Sequence, residues 1–450
     1  GFYGLGNANA GVSTCAQYVE NELLSFTGRV QYDFNEKYLF TLVGRYDGAS
    51  QLSGDKWALF PSVQGAWRVI EEGFMADQRL FTDLKLRASY GTAGNSSVDP
   101  YDTQSVLNRV TFAYDEKLAV GYALSPLLGN DNLNWEISNT VNVGLDFALL
   151  GNKLSGTIDV FQTKTHDLLL ERLLPTSSGF ERSYQNVGKT ETKGIELGLN
   201  GTILERSDFK WKASLSWFTT KEEIVALATG SNDIANGWFI GEPTQAYYDY
   251  ERLGIWQTDE ADQATLYGQI PGEIKVKDQD GSTSISTTND RVVLGSPRPK
   301  WIGNLNNDFQ YKSFDLSVQV FARWGQMIQS TFANIYDPTA NENSIKHTYW
   351  TPENPSNEYP RPNANTSRSA VKYLSTMLYE DGSYIKIRGI TLGYNFPKGL
   401  LEKTPLSQAR IYASAKNFWV NSKLDYDPER GGAESTPLSK LFVMGVNLQF

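Results

Sequence analysis

No run of apolar residues in this chain approaches the roughly 18 that a membrane-spanning helix requires, and mean hydropathy is −0.40. Helical spans are therefore excluded. A β-barrel is not, because only alternate residues of its strands need be apolar. Cysteine is nearly absent: Cys15 stands alone, so there is neither an internal disulfide framework nor a multi-cysteine metal cluster. Two histidines, His166 and His347, lack neighbouring Cys or Asp/Glu at metal-ligand spacing, which leaves histidine-based catalysis poorly supplied. Basic charge is also short. A net charge of −10 argues against nucleic-acid binding, which calls for a basic face. No Walker-type phosphate loop occurs, and Gly4-Leu5-Gly6 is too short for a dinucleotide loop. The chain begins without Met or a charged-then-apolar leader, which suggests a mature or partial product.

What the chain has is alternation. In Leu441–Phe450, Phe442, Met444, Val446, Leu448 and Phe450 share one face, because successive strand side chains point to opposite sides. Leu24, Phe26, Val30, Tyr32 and Phe34 oppose Ser25, Thr27, Arg29, Gln31 and Asp33 in the same way. About thirteen such segments recur, near 24–34, 38–48, 57–69, 82–91, 137–149, 153–163, 192–202, 208–220, 299–311, 313–324, 383–396, 407–418 and 440–450. Each is close to the ~9–11 residues that cross a bilayer when tilted. One slips phase: Ile385 and Ile387 lie on one parity, Ile390, Leu392, Tyr394 and Phe396 on the other, so a β-bulge is expected at Arg388-Gly389.

The connections alternate strictly between short (35–37, 70–81, 150–152, 203–207, 312, 397–406) and long (49–56, 92–136, 164–191, 221–298, 325–382, 419–439). Short turns on the periplasmic side and long loops outside are the outer-membrane pattern. That parity puts Phe450 at the periplasmic side and residues 1–23 in an exterior loop. Tyr32, Phe34, Tyr38, Phe40, Trp67, Phe147, Phe209, Trp211, Tyr311, Phe314, Tyr394, Phe396 and Phe450 fall beside the short turns, as an interfacial girdle requires. The fold expected is all-β, a transmembrane antiparallel barrel. Thirteen strands do not close a barrel of the even-numbered bacterial kind, and an open sheet in lipid leaves two edges of unpaired backbone. A missing amino-terminal part is therefore expected to complete the wall.

Several motifs carry a resemblance. They include Arg45-Tyr46-Asp47-Gly48-Ala49-Ser50, Phe60-Pro61-Ser62, Leu84 through Asn95, Asn132-Leu133-Asn134-Trp135-Glu136, and Asn186-Val187-Gly188. Gly254-Ile255-Trp256-Gln257, Trp350-Thr351-Pro352-Glu353 and Tyr426-Asp427-Pro428-Glu429 continue the series. Together, and in this order, they resemble the SusC/RagA family of TonB-dependent outer-membrane transporters over nearly the whole chain. The resemblance implies a 22-stranded barrel of which this chain carries strands ten to twenty-two, without plug, TonB box or the first nine strands. It implies active import of a large nutrient, an oligosaccharide or alternatively an oligopeptide, and no covalent chemistry on the cargo. The implied partners are a SusD-like lipoprotein lid and the TonB-ExbB-ExbD motor. A passive porin and a secreted, soluble β-rich glycan-binding or glycan-cleaving protein are the alternatives.

Residues 271–281 match a loop that in this family often continues like an EF-hand calcium loop. Asp278, Asp280 and Ser282 fit positions one, three and five, whereas Thr283 replaces the turn Gly and the terminal acid comes one place late, as Asp290. The loop therefore reads either as a calcium site or as a relic without an ion. Among the exterior rings, Trp256 and Trp350 lie in family-wide motifs and are expected to hold loops together. Trp238, Phe239 and Tyr336 are the candidate ligand rings, since sugar rings stack on aromatic faces. The alternative for them is packing against the lid. The charges expected to face the interior, among them Arg29, Asp33, Arg45, Asp47, Lys85, Arg87, Arg323, Lys386 and Arg388, are expected to pair with one another and with a plug.

Overall fold

A computed structural model describes residues 18–114, 117–228, 230–330, 347–365, 367–432 and 438–450. Cys15 and Tyr336 lie outside them. The long strands are β1 (Leu23–Phe34), β2 (Tyr38–Ala49), β3 (Trp57–Arg68), β4 (Phe81–Asn95), β5 (Glu136–Leu149), β6 (Leu154–His166) and β7 (Lys189–Glu205). They continue as β8 (Phe209–Ala226), β9 (Trp301–Tyr311), β10 (Phe314–Trp324), β11 (Tyr384–Asn395), β12 (Gln408–Ser422) and β13 (Leu441–Gln449). All 13 belong to one sheet in which chain order is neighbour order, and β1 and β13 are its edges. Every expected segment is there. The strands bordering the long loops run further than their alternation suggested, β8 to 18 residues. Past the lipid both faces are wet, so the strand continues through Thr219, Thr220, Lys221 and Glu222 after the apolar period has faded.

Tight turns close the short side. Asn35 and Glu36 both take positive φ, 56° and 55°, and the Glu36 amide donates to Asp33 Oδ1 at 2.8 Å. The bulge falls where expected: Ile387 and Gly389 pair with Val320 and Gln319, which leaves Arg388 as the extra residue.

Chain contacts divide the protein into two compact units. Unit 1 is Gly1–Asp146, Asp159–Lys193 and Glu222–Glu242; unit 2 is Phe147–Ile158, Gly194–Lys221 and Pro243–Phe450. In unit 1, Val30 pairs with Leu42 and Leu42 with Val63, while Phe26 pairs with Tyr46 and Tyr46 with Leu59; all six are exposed. In unit 2, Ile411 pairs with Val446, and Phe442, Met444, Leu448 and Phe450 are exposed beside it, Met444 at 73%. Each apolar face is thus bare. A water-soluble sandwich would have covered it with a second sheet, since soluble proteins rarely expose contiguous apolar patches beyond a few hundred Å². Hydrocarbon is the solvent that fits. Rings beside the short turns stack along the face: Phe34 on Tyr38 at 6.4 Å and Tyr38 on Trp67 at 6.5 Å in unit 1, Trp211 on Phe309 at 5.5 Å in unit 2.

The long connections contain pairs of short strands that alternation did not reveal. Leu107–Tyr114 pairs with Lys117–Leu124, Tyr247–Tyr250 with Arg291–Gly295, and Arg252–Ile255 with Ile274–Val276.

Candidate functional site

The loop-side cluster of unit 1 is built on Trp135. Its indole donates to the Lys56 carbonyl at 2.9 Å, and its ring meets Phe60 edge-on at 5.3 Å. Leu52 and Leu133 are buried with them. Gly94 has to be glycine here, because a Cβ would run into both Phe60 and Trp135. The neighbouring Asn134 amide donates to Asn186 Oδ1 at 2.7 Å, and Asn186 Nδ2 returns a bond to the Asn134 carbonyl at 2.9 Å. A cavity of about 430 Å³ opens beside this cluster, lined by Arg45, Asp47, Ser62, Asn95, Ser97 and Trp135. Arg45 reaches Asp47 at 2.7 Å. Deeper along the polar face, Lys85 pairs with Asp146 at 2.8 Å, and Arg87 bridges Asp146 and Asp159 at 2.8 and 2.9 Å.

In unit 2 a fully buried Lys386 binds Asp427 at 2.6 Å and Glu429 at 2.8 Å, and Arg388 binds Glu429 at 2.5 Å. The Arg388 guanidinium lies 3.5 Å over the Phe321 ring. Tyr426 donates to Glu380 at 2.8 Å. Asp427 and Glu429, which lie in the Tyr426-Asp427-Pro428-Glu429 motif, are the counter-charges of these two strand cations. The signal was available: a lysine on a strand's inner face needs counter-charge within reach. Of the charges expected to face the interior, Arg45, Asp47, Lys85, Arg87, Lys386 and Arg388 are ion-paired, whereas Asp33 accepts the Glu36 amide and Arg323 donates to the Pro297 carbonyl at 3.3 Å.

The larger loop cluster of unit 2 buries Tyr250, Ile255, Ile274, Val276, Trp350 and Met377. The Trp256 indole donates to Gln269 and the Trp350 indole to Gln257, both at 3.0 Å, with Lys275 lying 4.4 Å over Trp256. Both tryptophans hold loops together. Of the candidate ligand rings, Trp238 is half-buried at a small turn closed by its backbone bonds to Asp233. Phe239, at 5% exposed, is packed inside unit 1 and offers no open face for stacking.

In the 278–290 loop, carboxylate oxygens of Asp278, Asp280 and Asp290 lie within 4.8 Å of one another. That span suits one hard cation with ligands at about 2.3–2.6 Å. Thr283 takes the positive φ, 60°, expected of the turn Gly it replaces. The Ser282 hydroxyl donates to the Ser284 carbonyl, so the late acid Asp290, fully buried, stands third in its stead. The carboxylates also accept protein donors: Gly281 and Thr283 amides on Asp278, Gln279 and Ser286 amides on Asp290. Hydrogen bonds from Ser282 and Asn289 hold the Asp280 carboxyl below its ordinary range.

A single-layer antiparallel sheet, greasy on one face and charged on the other, with short turns at one end and structured loops at the other, defines an outer-membrane β-barrel protein. Residues 3–418 match the family model described as TonB dependent receptor-like, beta-barrel. The chain belongs to that family, in its SusC/RagA branch, and to the outer membrane. It is 34% identical to TonB-dependent receptor P3 of Formosa agariphila, over 96% of this chain and 46% of the relative. To TonB-dependent receptor SusC of Bacteroides thetaiotaomicron it is 29% identical, over 97% and 44% respectively. A structure of the RagAB peptide transporter superposes with a TM-score of 0.81 at 26% identity, covering 99% of this chain and 50% of that one. The chain spans about half the length of the curated relatives it matches.

Proposed function

We propose that this chain forms the carboxyl-terminal part of the barrel of an active outer-membrane importer for a large nutrient. The observation that carries the reading is the pairing of a lipid-facing apolar surface with a charged inner face capped by structured loops. The family contains transporters and receptors rather than enzymes.

The cargo in this reading is an oligosaccharide, as the motifs of the SusC kind suggest, with an oligopeptide as second choice on the likeness to the RagAB peptide transporter. Trp238 and the cavity beside Trp135 are the ligand-facing candidates in unit 1. A SusD-like surface lipoprotein acts as lid, and TonB with ExbB and ExbD supplies the energy. The edge strands β1 and β13 need partners in hydrocarbon, so the reading includes further strands beyond this sequence, together with a plug. Asp278, Asp280 and Asp290 would hold calcium as a structural tie within one loop, where the ion supplies no chemistry for transport.

The test is uptake and growth on a panel of glycans and peptides in cells carrying the full-length protein. Loss of uptake on deletion of TonB, and again on deletion of the lipoprotein, is expected. Uptake that persists without TonB would make the protein a passive porin.

A further inference from the structure

The connection between β3 and β4 does not hang free below the wall. Tyr38 and Trp67 are directly opposed across β2 and β3, on the same face as Leu42 and Val63, which puts both rings on the lipid side. Yet both are half-buried, whereas Phe40, Leu42 and Val63 on that face are exposed. Glu72 accounts for the difference. Its carboxylate accepts from the Tyr38 hydroxyl at 2.7 Å and from the Trp67 indole at 3.0 Å, and it meets Lys37 Nζ at 3.5 Å. A carboxylate bonded to two outward-facing girdle residues places the connection against the outer surface of the wall, at the level of the headgroups.

The segment is also built to lie there. Two short 3-10 turns, Val69–Glu71 and Gly73–Met75, bond their own backbone: Glu72 N to Val69 O at 3.1 Å, Met75 N to Glu72 O at 2.9 Å, Ala76 N to Gly73 O at 3.2 Å. Gln78 bonds Phe81 twice, through its side-chain amide and its carbonyl oxygen. Backbone satisfied within the segment is what a peptide needs at the edge of hydrocarbon. Arg68 is tied to Glu71 at 2.8 Å. Against this polar framework Phe74 stands 69% exposed and Leu80 52% exposed.

We infer that residues 69–80 form a membrane-surface shelf, fastened to the girdle through Glu72, whose Phe74 ring enters the periplasmic-side lipid leaflet at the headgroup–acyl boundary. The lipid-facing belt of β2 and β3 continues directly into it, which is why lipid and not a protein partner is the occupant. An aromatic ring on a compact polar segment is the chemistry of interfacial anchoring. The shelf extends the apolar contact of the wall sideways, and it braces β3 and β4 at the periplasmic rim. It rests on outer-membrane placement and not on the import reading.

The test is site-directed spin labelling of the full-length transporter in liposomes, with native cysteines replaced and Phe74→Cys labelled. Val63→Cys on the wall is the lipid standard and Ser282→Cys in an exposed loop the aqueous standard. The Phe74 label is expected to show an oxygen-over-nickel accessibility ratio on the Val63 side of the midpoint, and Glu72→Gln is expected to shift it toward water. A ratio on the Ser282 side overturns the inference, and so does a label shielded from both reagents, which would mean a protein partner. Retained or lost transport in these variants bears only on the import reading.

Discussion

Tryptophan does opposite work in two regions of unit 1. On the wall, Trp67 stacks on Tyr38 and gives its indole N–H to Glu72 at the water line. In the loop cluster, Trp135 is 5% exposed and gives its N–H to a backbone carbonyl. The same residue serves as an anchor where one side is oil and as a keystone where all sides are protein. Unit 2 repeats the contrast with Trp211 on the wall and Trp256 in the loops. The wall therefore depends on a solvent outside the protein, whereas the loop clusters depend on packing within it.

The sharpest way to break this comparison is Trp256→Ala. Truncating a buried tryptophan typically costs about 3–5 kcal/mol, and the loss should fall on the loop cluster alone. Limited proteolysis should cut the 250–280 region while the heat-modifiable gel shift of the folded barrel is retained. Lys386→Ala comes next. It leaves Asp427 without its ion-pair partner and Glu429 with Arg388 alone; the two carboxylate side chains are 21% and 25% exposed. Water screens them partly, so about 2–3 kcal/mol is expected, less than the loss for a fully buried pair. Thermal unfolding in detergent measures it, and an unchanged midpoint would mean that the pair contributes nothing net.

Leu42→Arg and Thr41→Arg sharpen the contrast between the two faces of one strand. Arginine on the lipid face costs about 2–4 kcal/mol near the bilayer midplane, so Leu42→Arg should lower the folded fraction in liposomes. Thr41→Arg, one residue away on the polar face, should leave that fraction much nearer its original value. The smallest effect expected is a pH dependence at Glu72. Hydrogen bonds from Tyr38 and then Trp67, with Lys37 adding to them, hold its carboxyl below the ordinary range. A depressed carboxyl contributes stability above its unfolded-state pKa and loses it as pH falls through the lowered value. The spin label at Phe74 should accordingly move toward water in acid and return on neutralisation.

Alternation exposed the wall because lipid and water impose a period of two, down to the phase slip at Arg388-Gly389. It could not show the short strand pairs in the long loops, whose residues face protein or water irregularly. The loop-holding role of Trp256 and Trp350 was legible from their motifs. Phe239 was not legible as a packed ring, since nothing local separates a ring that faces cargo from one that faces a neighbouring loop. Asp290 was visible as an acid one place late, but its approach to Asp278 and Asp280 depends on how the loop closes.

The order of residues along the chain determined which face of each strand meets oil, where the turns fall and where the girdle lies, because those follow from nearest-neighbour geometry. Tertiary structure decided the counter-ions of Lys386, the third acid beside Asp278 and Asp280, and the bending of residues 69–80 back onto the wall. Such pairings join groups distant in sequence, and only folding brings them within bonding reach.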